Sequence, residues 1–279
     1  MGFSNYLTFR KLFVHNIELN GLKATIYPFN LTASRYLEYS GVLYFLASLY
    51  PGDLVLEVGC GHSILPSYWE KLKLNVVVVD INIESLRWQI SKREKNSDKI
   101  FQAVQASGTN LPFREKVFSA VSCVSVIEHF PVDSDEKAAL EIGLVLKNNG
   151  MQILTFPMTN KRSYFITNLG SGIPPLLTKI FRSSLDPIFK RLKIDRSGFY
   201  FERVYSLLDM QKRIIALSGC SVDTYSTFHS GVFVKAIHGR IVPAGMLSVL
   251  EYILARFFMF TTKSTTNMDG IILKLKKES

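Results

Sequence analysis

A glycine-rich loop between two apolar strands constrains this chain more than any other feature. Val55–Ser63 reads Val-Leu-Glu-Val-Gly-Cys-Gly-His-Ser, and Asp80 follows the β-branched run Val76–Val79. Gly59 and Gly61 let the backbone turn sharply and approach a ligand that a Cβ would repel. A carboxylate at the tip of the second strand can accept hydrogen bonds from both hydroxyls of a ribose. The pattern therefore predicts a nucleoside-binding site.

The composition predicts a folded, basic protein. Its 279 residues are 47% hydrophobic, enough for a substantial core, and the net charge of +10 is spread without a long basic run. Such a charge favours anionic partners, with nucleic acid, phospholipid headgroups and acidic metabolites all open, beside a solvated basic face without a specific partner. The three cysteines, Cys60, Cys123 and Cys220, lie in or beside apolar segments and predict buried thiols in a reducing compartment.

The apolar segments do not predict secretion or a membrane span. Met1–Arg10 lacks the basic-then-apolar order of a signal peptide, and Val42–Tyr50 is too short to cross a bilayer. The longest late apolar stretch, Ala244–Phe260, carries Glu251 and Arg256 and predicts a buried or interfacial helix. We expect a cytoplasmic protein, with peripheral contact at the inner face of the membrane as an open alternative.

Strand and helix signals alternate from about residue 35 to residue 156. Unbroken β-branched runs are typical of strands covered on both faces of a parallel sheet. The predicted strands and helices after the glycine loop are Ile83–Arg93, Phe101–Ala106, Phe118–Val126, Asp133–Leu146 and Met151–Phe156. The rhythm predicts an α/β fold, a Rossmann-like doubly wound sheet with helices on both faces.

Cap residues and inner faces follow from the same patterns. Ser63 is expected to cap the helix after the glycine loop, and Asp133 or Ser134 the helix over residues 133–146. On the latter helix, Ala139, Leu140 and Leu144 are expected to face the core.

The pattern changes after Pro157. A segment rich in proline, glycine and basic residues, at about 159–203, is interpreted as an insertion over the carboxyl edge of the sheet. Ser206 opens a predicted helix to about Leu217, which Gly219 ends. Two further strands are predicted, at Val222–Tyr225 and Ile271–Lys276.

Five landmarks together resemble the class I S-adenosylmethionine-dependent methyltransferases in order and spacing. They are Glu57–Gly61, Asp80, Leu111–Phe113, Val126–His129 and Leu146–Gly150. The resemblance covers about residues 36–157 well and implies a mostly parallel seven-stranded sheet whose last strand, Ile271–Lys276, is antiparallel. The resemblance does not extend to the first 35 residues or to the insertion. We expect an N-terminal helical segment or cap over residues 1–50 and a methyltransferase domain over residues 51–279 that carries a helical insertion at about 159–203.

The resemblance implies S-adenosylmethionine as the cofactor and assigns a role to each matching residue. Gly59, Cys60 and Gly61 would line its methionine moiety, Glu57 would hold the loop and the amino-acid end, and Asp80 would bind the ribose. The remaining candidate cofactor-binding residues are Ile81, Ser107, Gly108 and Ser125. Ser63 replaces the third glycine, which argues against dinucleotide binding. Ser107 and Gly108 stand where relatives often have an adenine-contacting Asp.

Glu128 and His129 form the candidate catalytic pair. A histidine beside the pocket can accept a proton from an attacking hydroxyl, or it can simply hold the loop. Some related O-methyltransferases bind a divalent metal through Glu-x-x-Glu-His, but Ser125 occupies the first of those positions, so we expect no metal site.

The acceptor is predicted less sharply. Apolar and basic residues of the insertion, within Ile173–Lys193, favour a small or lipid-linked acceptor at an anionic membrane. The net charge leaves an RNA acceptor open, and a non-catalytic binding module is a third reading. Five tyrosines could shape an acceptor pocket or belong to the core: Tyr36, Tyr39, Tyr164, Tyr200 and Tyr205. The oligomeric state stays undetermined.

Overall fold

The computed structural model describes residues 6–21, 33–93, 98–131, 133–161, 163–167, 200–230, 253, 259–262 and 268–279. Helices α1 (Tyr6–Asn20) and α2 (Ala33–Leu46) precede the first strand. In chain order there follow β1 (Leu54–Val58), α3 (Leu65–Lys71), β2 (Asn75–Asp80), α4 (Ile83–Ser91), β3 (Phe101–Gln105), β4 (Phe118–Val124), a 3-10 turn (Ile127–His129), α5 (Ser134–Val145), β5 (Leu146–Thr159), β6 (Tyr164–Thr167), β7 (Tyr200–Ser206), α6 (Leu207–Asp209, π-helical Met210–Ile215 and Ala216–Ser218), β8 (Cys220–Ser230), β9 (Met259–Thr262) and β10 (Gly270–Lys277).

The sheet confirms the predicted fold class. Its main path has the order β3-β2-β1-β4-β5-β10-β8-β9, in which β1 to β5 are parallel and β10 is antiparallel to both of its neighbours. The seven strands from β3 to β8 are the predicted sheet, with β10 as its antiparallel strand. Three described strands, β6, β7 and β9, were not predicted. Strand β9 extends the sheet beyond β8, whereas β6 pairs with β7, which pairs in parallel with the last residues of β5.

Two hydrophobic clusters cover the two faces of the sheet. Val76 and Val78 point into a cluster with α1 to α4, whereas Val77 and Val79 point into a cluster with α5 and α6. This two-sided burial explains the unbroken run of valines, because neither face of β2 meets water. Because β1 to β4 are parallel, their carboxyl ends lie at one edge of the sheet, where the glycine loop lies.

Helix α5 contradicts part of the predicted inner face. Ala139 is buried as expected, but Leu140 is 48% exposed, because Ala138, Ile142 and Val145 complete a face that turns Leu140 outward. Asp133 occupies the N-cap position, yet its side chain does not bond the helix backbone and instead pairs with Arg213.

At α3 the N-cap is Ile64 and not Ser63, although the Ser63 hydroxyl accepts a hydrogen bond from the Leu65 amide at 3.2 Å. Ser206 caps α6 by accepting from the Asp209 amide at 3.2 Å, and Gly219 ends it in a left-handed conformation, both as predicted.

The later segments agree only partly with the sequence analysis. The described ends of the segment over residues 159–203 are the strands β6 and β7, and residues 168–199, with the basic residues of Ile173–Lys193, lie outside the described part. The helix predicted over Ala244–Phe260 is wrong at its end, where Met259 and Phe260 belong to β9, because that stretch pairs with β8. All three cysteines are buried and unpaired. No helix within the described ranges is long and apolar enough to cross a bilayer.

Candidate active site

The glycine loop follows β1 and is tied to the end of β2. Gly59 has a φ of 71° and Gly61 a φ of 44°, and the Gly59 and Cys60 amides donate to the Val79 carbonyl at 2.8 and 3.1 Å. A Cβ on Gly59 would lie 2.4 Å from Val126 Cγ1, whereas a Cβ on Gly61 would meet nothing within 4 Å. Gly59 is therefore required by close packing, and Gly61 faces open space that a ligand can approach.

Asp80 closes the loop from the tip of β2. Its Oδ2 accepts a hydrogen bond from the Gly61 amide at 2.8 Å, and its Oδ1 accepts from the Asn82 amide at 2.8 Å. The cap of α4 is Asn82, whose side chain accepts from the Glu84 amide, so Asp80 is not merely a helix cap. Each carboxylate oxygen keeps a further lone pair that can accept from a hydroxyl.

Gln89 of α4 completes the loop and was missed by the sequence analysis. Its Nε2 atom lies 3.4, 3.1 and 2.9 Å from the carbonyls of Cys60, Gly61 and Ser63, and the residue is 1% exposed. The sequence held one indication of this role: Gln89 is a polar residue three positions after the apolar Leu86, and such spacing places both on the inner side of the helix. Gln89 fixes the outward direction of the loop amides.

Glu57 is a buried carboxyl at the end of β1. It is 1% exposed, and its Oε2 has no hydrogen-bond partner within the described part of the chain. Burial raises the pKa of Glu57 to about 8, opposed by the Ser63 hydroxyl and the Arg35 guanidinium and assisted by Asp80. The carboxyl is thus mostly neutral at pH 7 and ready to ionise beside an incoming cation. Burial also raises the pKa of the Cys60 thiol, which leaves it unreactive.

Three further candidates lie at the neighbouring strand ends. Ile81 is an apolar side chain that is 71% exposed, and its carbonyl accepts from Gln105 Nε2 at 3.0 Å. The Ser107 hydroxyl accepts from the Thr109 amide at 3.2 Å, so it shapes its own turn. Gly108 is packed so closely that a Cβ would lie 2.8 Å from Val58 Cγ1. Ile81 is therefore the most accessible apolar surface of the three.

Ser125, the residue directly after β4, has a strained backbone conformation. Its φ is 47°, in the left-handed region that non-glycine residues seldom adopt. Its amide lies 2.9 Å from the Thr155 carbonyl and 3.0 Å from Thr155 Oγ1, and its hydroxyl donates to Glu38 Oε1 at 2.7 Å. Glu38 Oε2 in turn pairs with Arg35 at 2.7 Å. The sequence analysis did not identify Arg35 and Glu38 as residues that support the site. The available indication was Glu38, a charged residue among the apolar residues of α2.

The two members of the candidate catalytic pair, Glu128 and His129, lie in the 3-10 turn and differ in their exposure to solvent. Glu128 is 2% exposed, whereas His129 is exposed. Burial raises the pKa of Glu128 well above its usual range, and Glu38 and Glu202 add to this while Arg35 opposes it. Burial therefore favours the neutral form of Glu128, and His129 is the more accessible of the two.

The remaining candidates belong to the core or lie outside the described residues. Tyr36, Tyr39 and Tyr205 are buried, and the side chains of Tyr164 and Tyr200 are not described. Within the described ranges, no group of three or more His, Cys, Asp or Glu residues could hold a metal ion.

Comparison with known proteins identifies the domain around this site. Residues 56–154 match the family described as "Methyltransferase domain". The chain is 28% identical over 127 residues, 45% of this chain and 29% of the relative, to a tRNA (carboxymethyluridine(34)-5-O)-methyltransferase of Arabidopsis thaliana. It is 31% identical over 159 residues, 55% of this chain and 59% of the relative, to an uncharacterized protein of Methanocaldococcus jannaschii. The chain thus spans less than two thirds of the length of these relatives.

Solved structures share the fold. An S-adenosylmethionine-dependent methyltransferase of Methanosarcina mazei has a TM-score of 0.51 at 14% identity, over 84% of this chain and 97% of that one. A geranyl diphosphate C-methyltransferase of Streptomyces coelicolor, solved with S-adenosylhomocysteine, has a TM-score of 0.53 at 12% identity, over 88% of this chain and 80% of that one. At these identities the likeness concerns the arrangement of strands and helices.

Proposed function

Since residues 56–154 match the family described as a methyltransferase domain, we propose that this chain is a class I methyltransferase that binds S-adenosylmethionine at the glycine loop and transfers its methyl group to an acceptor. The observation that carries the proposal is the hydrogen bond between the glycine loop and Asp80, whose carboxylate accepts from the Gly61 amide at 2.8 Å. This pairing presents a carboxylate beside open backbone, as a nucleoside cofactor requires. We further propose that residues 1–50 act as a helical cap on a domain over residues 51–279.

The residues present fit the cofactor. Glu57 offers a buried oxygen without a partner among the described residues, which suits an α-ammonium group. Gly61 borders open space, and Asp80 retains acceptor capacity for two ribose hydroxyls. Ile81 exposes an apolar side chain that the flat face of an adenine would cover. In this proposal the backbone of Cys60, Ser107, Gly108 and Ser125 completes the walls of the pocket.

The chemistry asks for placement more than for reactive side chains. When bound, the cofactor's sulfonium supplies an already activated methyl group. The chain's own residues orient the reactants in line and exclude water, and orientation of this kind provides most of the rate. We propose that exposed His129 accepts a proton from the attacking group of the acceptor, and that buried Glu128 supports the turn.

The proposed acceptor is a small or lipid-linked molecule. The support is the sequence of the segment at 159–203, which combines an apolar run at Ile173–Leu177 with basic residues as far as Lys193. Apolar bulk beside positive charge suits an amphipathic substrate at an anionic membrane surface.

An RNA acceptor is the second candidate. Two tRNA methyltransferases match this chain over about half of its length, at 28% and 26% identity, and the net charge of +10 favours a polyanion. Because the aligned part is under a third of each relative, their substrates support this candidate only weakly.

Calorimetry with S-adenosylmethionine tests the cofactor. Purified wild-type protein should bind it, and Asp80→Ala should bind it much more weakly. The control is Ser119→Ala. Like Asp80→Ala, it removes one hydrogen bond of 2.8 Å to a carboxylate, here that of Asp53, but it does so at the far end of β4. Wild-type protein that binds no cofactor would contradict the proposal and favour a binding module of another kind.

Transfer of a radiolabelled methyl group then distinguishes the acceptors. Wild-type protein and Asp80→Ala are incubated with a lipid extract or with bulk tRNA, and the label is counted in each fraction. Label that enters lipid only for wild type supports the lipid-linked acceptor. Label that enters tRNA instead supports the second candidate, and retention on anionic vesicles at low salt tests the membrane contact.

A further inference from the structure

The strained residue Ser125 lies between the candidate cofactor site and helix α2. A φ of 47° is unfavourable for serine, so the surrounding contacts must hold it there. Those contacts come from two places: Thr155 of β5 binds the Ser125 amide, and Glu38 of α2 accepts from the Ser125 hydroxyl at 2.7 Å. Glu38 also accepts from the Thr155 hydroxyl at 3.1 Å. Glu38 is thus bonded to both residues that shape this turn.

Glu38 is itself firmly seated. It is 3% exposed, and its second carboxylate oxygen lies 2.7 Å from Arg35 Nη1. The same nitrogen lies 3.5 Å from the carbonyl of Val124, the last residue of β4. Burial opposes the charge of Arg35, but the neighbouring Glu38 carboxylate holds the pKa of Arg35 above its usual value, so Arg35 stays charged. A buried carboxylate that pairs with a guanidinium gives strong hydrogen bonds to the two hydroxyls.

The conformation of Ser125 decides where the next residue lies. Val126 follows Ser125 directly, and its side chain covers Gly59 so closely that a Cβ on Gly59 would lie 2.4 Å from it. Gly59 begins the loop whose Gly61 amide bonds Asp80. A continuous set of contacts therefore leads from Glu38 through Ser125 and Val126 to the glycine loop.

We propose that Glu38 is a positioning residue of the cofactor site, which holds Ser125 in its left-handed conformation so that Val126 braces the glycine loop. The inference rests on the proposed S-adenosylmethionine binding at this loop. Helix α2 is then part of the binding machinery, although none of its residues needs to touch the cofactor. Without Glu38, Ser125 relaxes toward ordinary backbone angles, Val126 moves, and the loop must reorganise when the cofactor binds.

The test exploits the fact that glycine adopts a φ of 47° without strain. The dissociation constant of S-adenosylhomocysteine is measured by calorimetry for wild type, Glu38→Ala, Ser125→Gly and the double variant. Glu38→Ala should weaken binding about tenfold, or about 1.4 kcal/mol, when Ser125 is present, and less than about threefold in the Ser125→Gly background. An equal loss in both backgrounds would overturn the inference, because a merely structural carboxylate acts regardless of residue 125.

Two further variants provide an independent test and a control. Thr155→Val removes the hydroxyl that donates to Glu38 and accepts from the Ser125 amide, and it leaves the bond from that amide to the Thr155 carbonyl. The loss of affinity that Thr155→Val causes should also shrink in the Ser125→Gly background. Thr155→Val replaces Glu38→Ala if that variant does not fold, and an equal loss in both backgrounds would again overturn the inference. Ser119→Ala removes a matched hydroxyl–carboxylate bond of 2.8 Å at the other end of β4 and should leave affinity unchanged.

Urea unfolding of wild type, Glu38→Ala, Ser125→Gly and the double variant measures the contribution of the Glu38–Ser125 contact to stability without any ligand. Ser125→Gly should restore part of the stability that Glu38→Ala removes, and a cycle with no such restoration would overturn the inference. Wild-type protein that fails to bind S-adenosylhomocysteine would contradict the proposed function, while the unfolding cycle would still decide the role of Glu38.

Discussion

Replacing Glu57 with Gln probes the electrostatics of the glycine loop most directly. Glu57 is 1% exposed, and burial raises the pKa of its carboxyl from 4.5 to about 8. Gln keeps the size and shape of the side chain but does not titrate. The difference in stability between the two proteins therefore isolates the ionisation of one buried carboxyl.

The direction of the effect follows from proton binding. Between pH 4.5 and about 8, folded protein keeps a proton on Glu57 that the unfolded chain has lost, so stability falls as pH rises through this window. Each pKa unit corresponds to about 1.36 kcal/mol, so the full cost above about pH 8 is about 5 kcal/mol. From about pH 6 to about pH 9, the cost to wild type grows by about 3 kcal/mol.

Urea unfolding at several pH values measures this cost. The advantage of Glu57→Gln over wild type should increase by about 3 kcal/mol between about pH 6 and about pH 9. Glu141→Gln, which alters a carboxylate that accepts from the Leu111 amide, controls for the loss of one charge. An advantage that stays constant with pH would refute the reasoning.

The same carboxyl should link cofactor binding to proton release. A cationic ammonium favours ionised Glu57, so wild type should release a proton on binding near pH 7. The measured enthalpy then depends on the ionisation enthalpy of the buffer for wild type and not for Glu57→Gln. Identical buffer dependence in both proteins would place the ammonium elsewhere.

Three other substitutions test the site and its support. Asp80→Ala removes the acceptor of the Gly61 amide and should weaken S-adenosylhomocysteine binding at least about tenfold by calorimetry, and unchanged affinity would remove Asp80 from the site. Gly59→Ala places a Cβ 2.4 Å from Val126 at a φ of 71° and should cost about 2–3 kcal/mol of stability, measured by urea unfolding, with a cost under about 0.5 kcal/mol contradicting the packing. Arg213→Met removes the 2.7 Å ion pair of Asp135, which is 1% exposed and keeps Arg203 at 3.3 Å, and should cost about 1–3 kcal/mol by the same method, whereas an unchanged stability would contradict a stabilising role for this pair.

The glycine loop, its acid and the parallel half of the sheet could be predicted because each has a local pattern. The run Val76–Val79 indicates a strand that is buried on both faces. The spacing of Gly59, Gly61 and Asp80 indicates a turn that faces a ligand. These features depend on residues close together in sequence, so periodicity and turn chemistry suffice to find them.

The contacts that support the site could not be predicted, because they join distant parts of the chain. Glu38 meets Ser125 across 87 positions, and Gln89 meets Cys60 across 29. Leu140 was placed wrongly because α5 packs its Ala138 face on the sheet, a choice that depends on what covers the helix. Strands β6 and β7 were missed because an antiparallel pair with a long connection leaves no hairpin signal between its members.

The position of β10 has a consequence for how this protein is made. Residues 270–277 enter the sheet between β5 and β8, although both of those strands are synthesised earlier. Until β10 has left the ribosome, β5 and β8 keep a long unpaired edge that can join other chains. The glycine loop and β1 to β4 can form first, whereas the half of the sheet beyond β5 must wait for the last described strand. A nascent chain of this protein therefore carries a period of aggregation risk that ends only when β10 inserts.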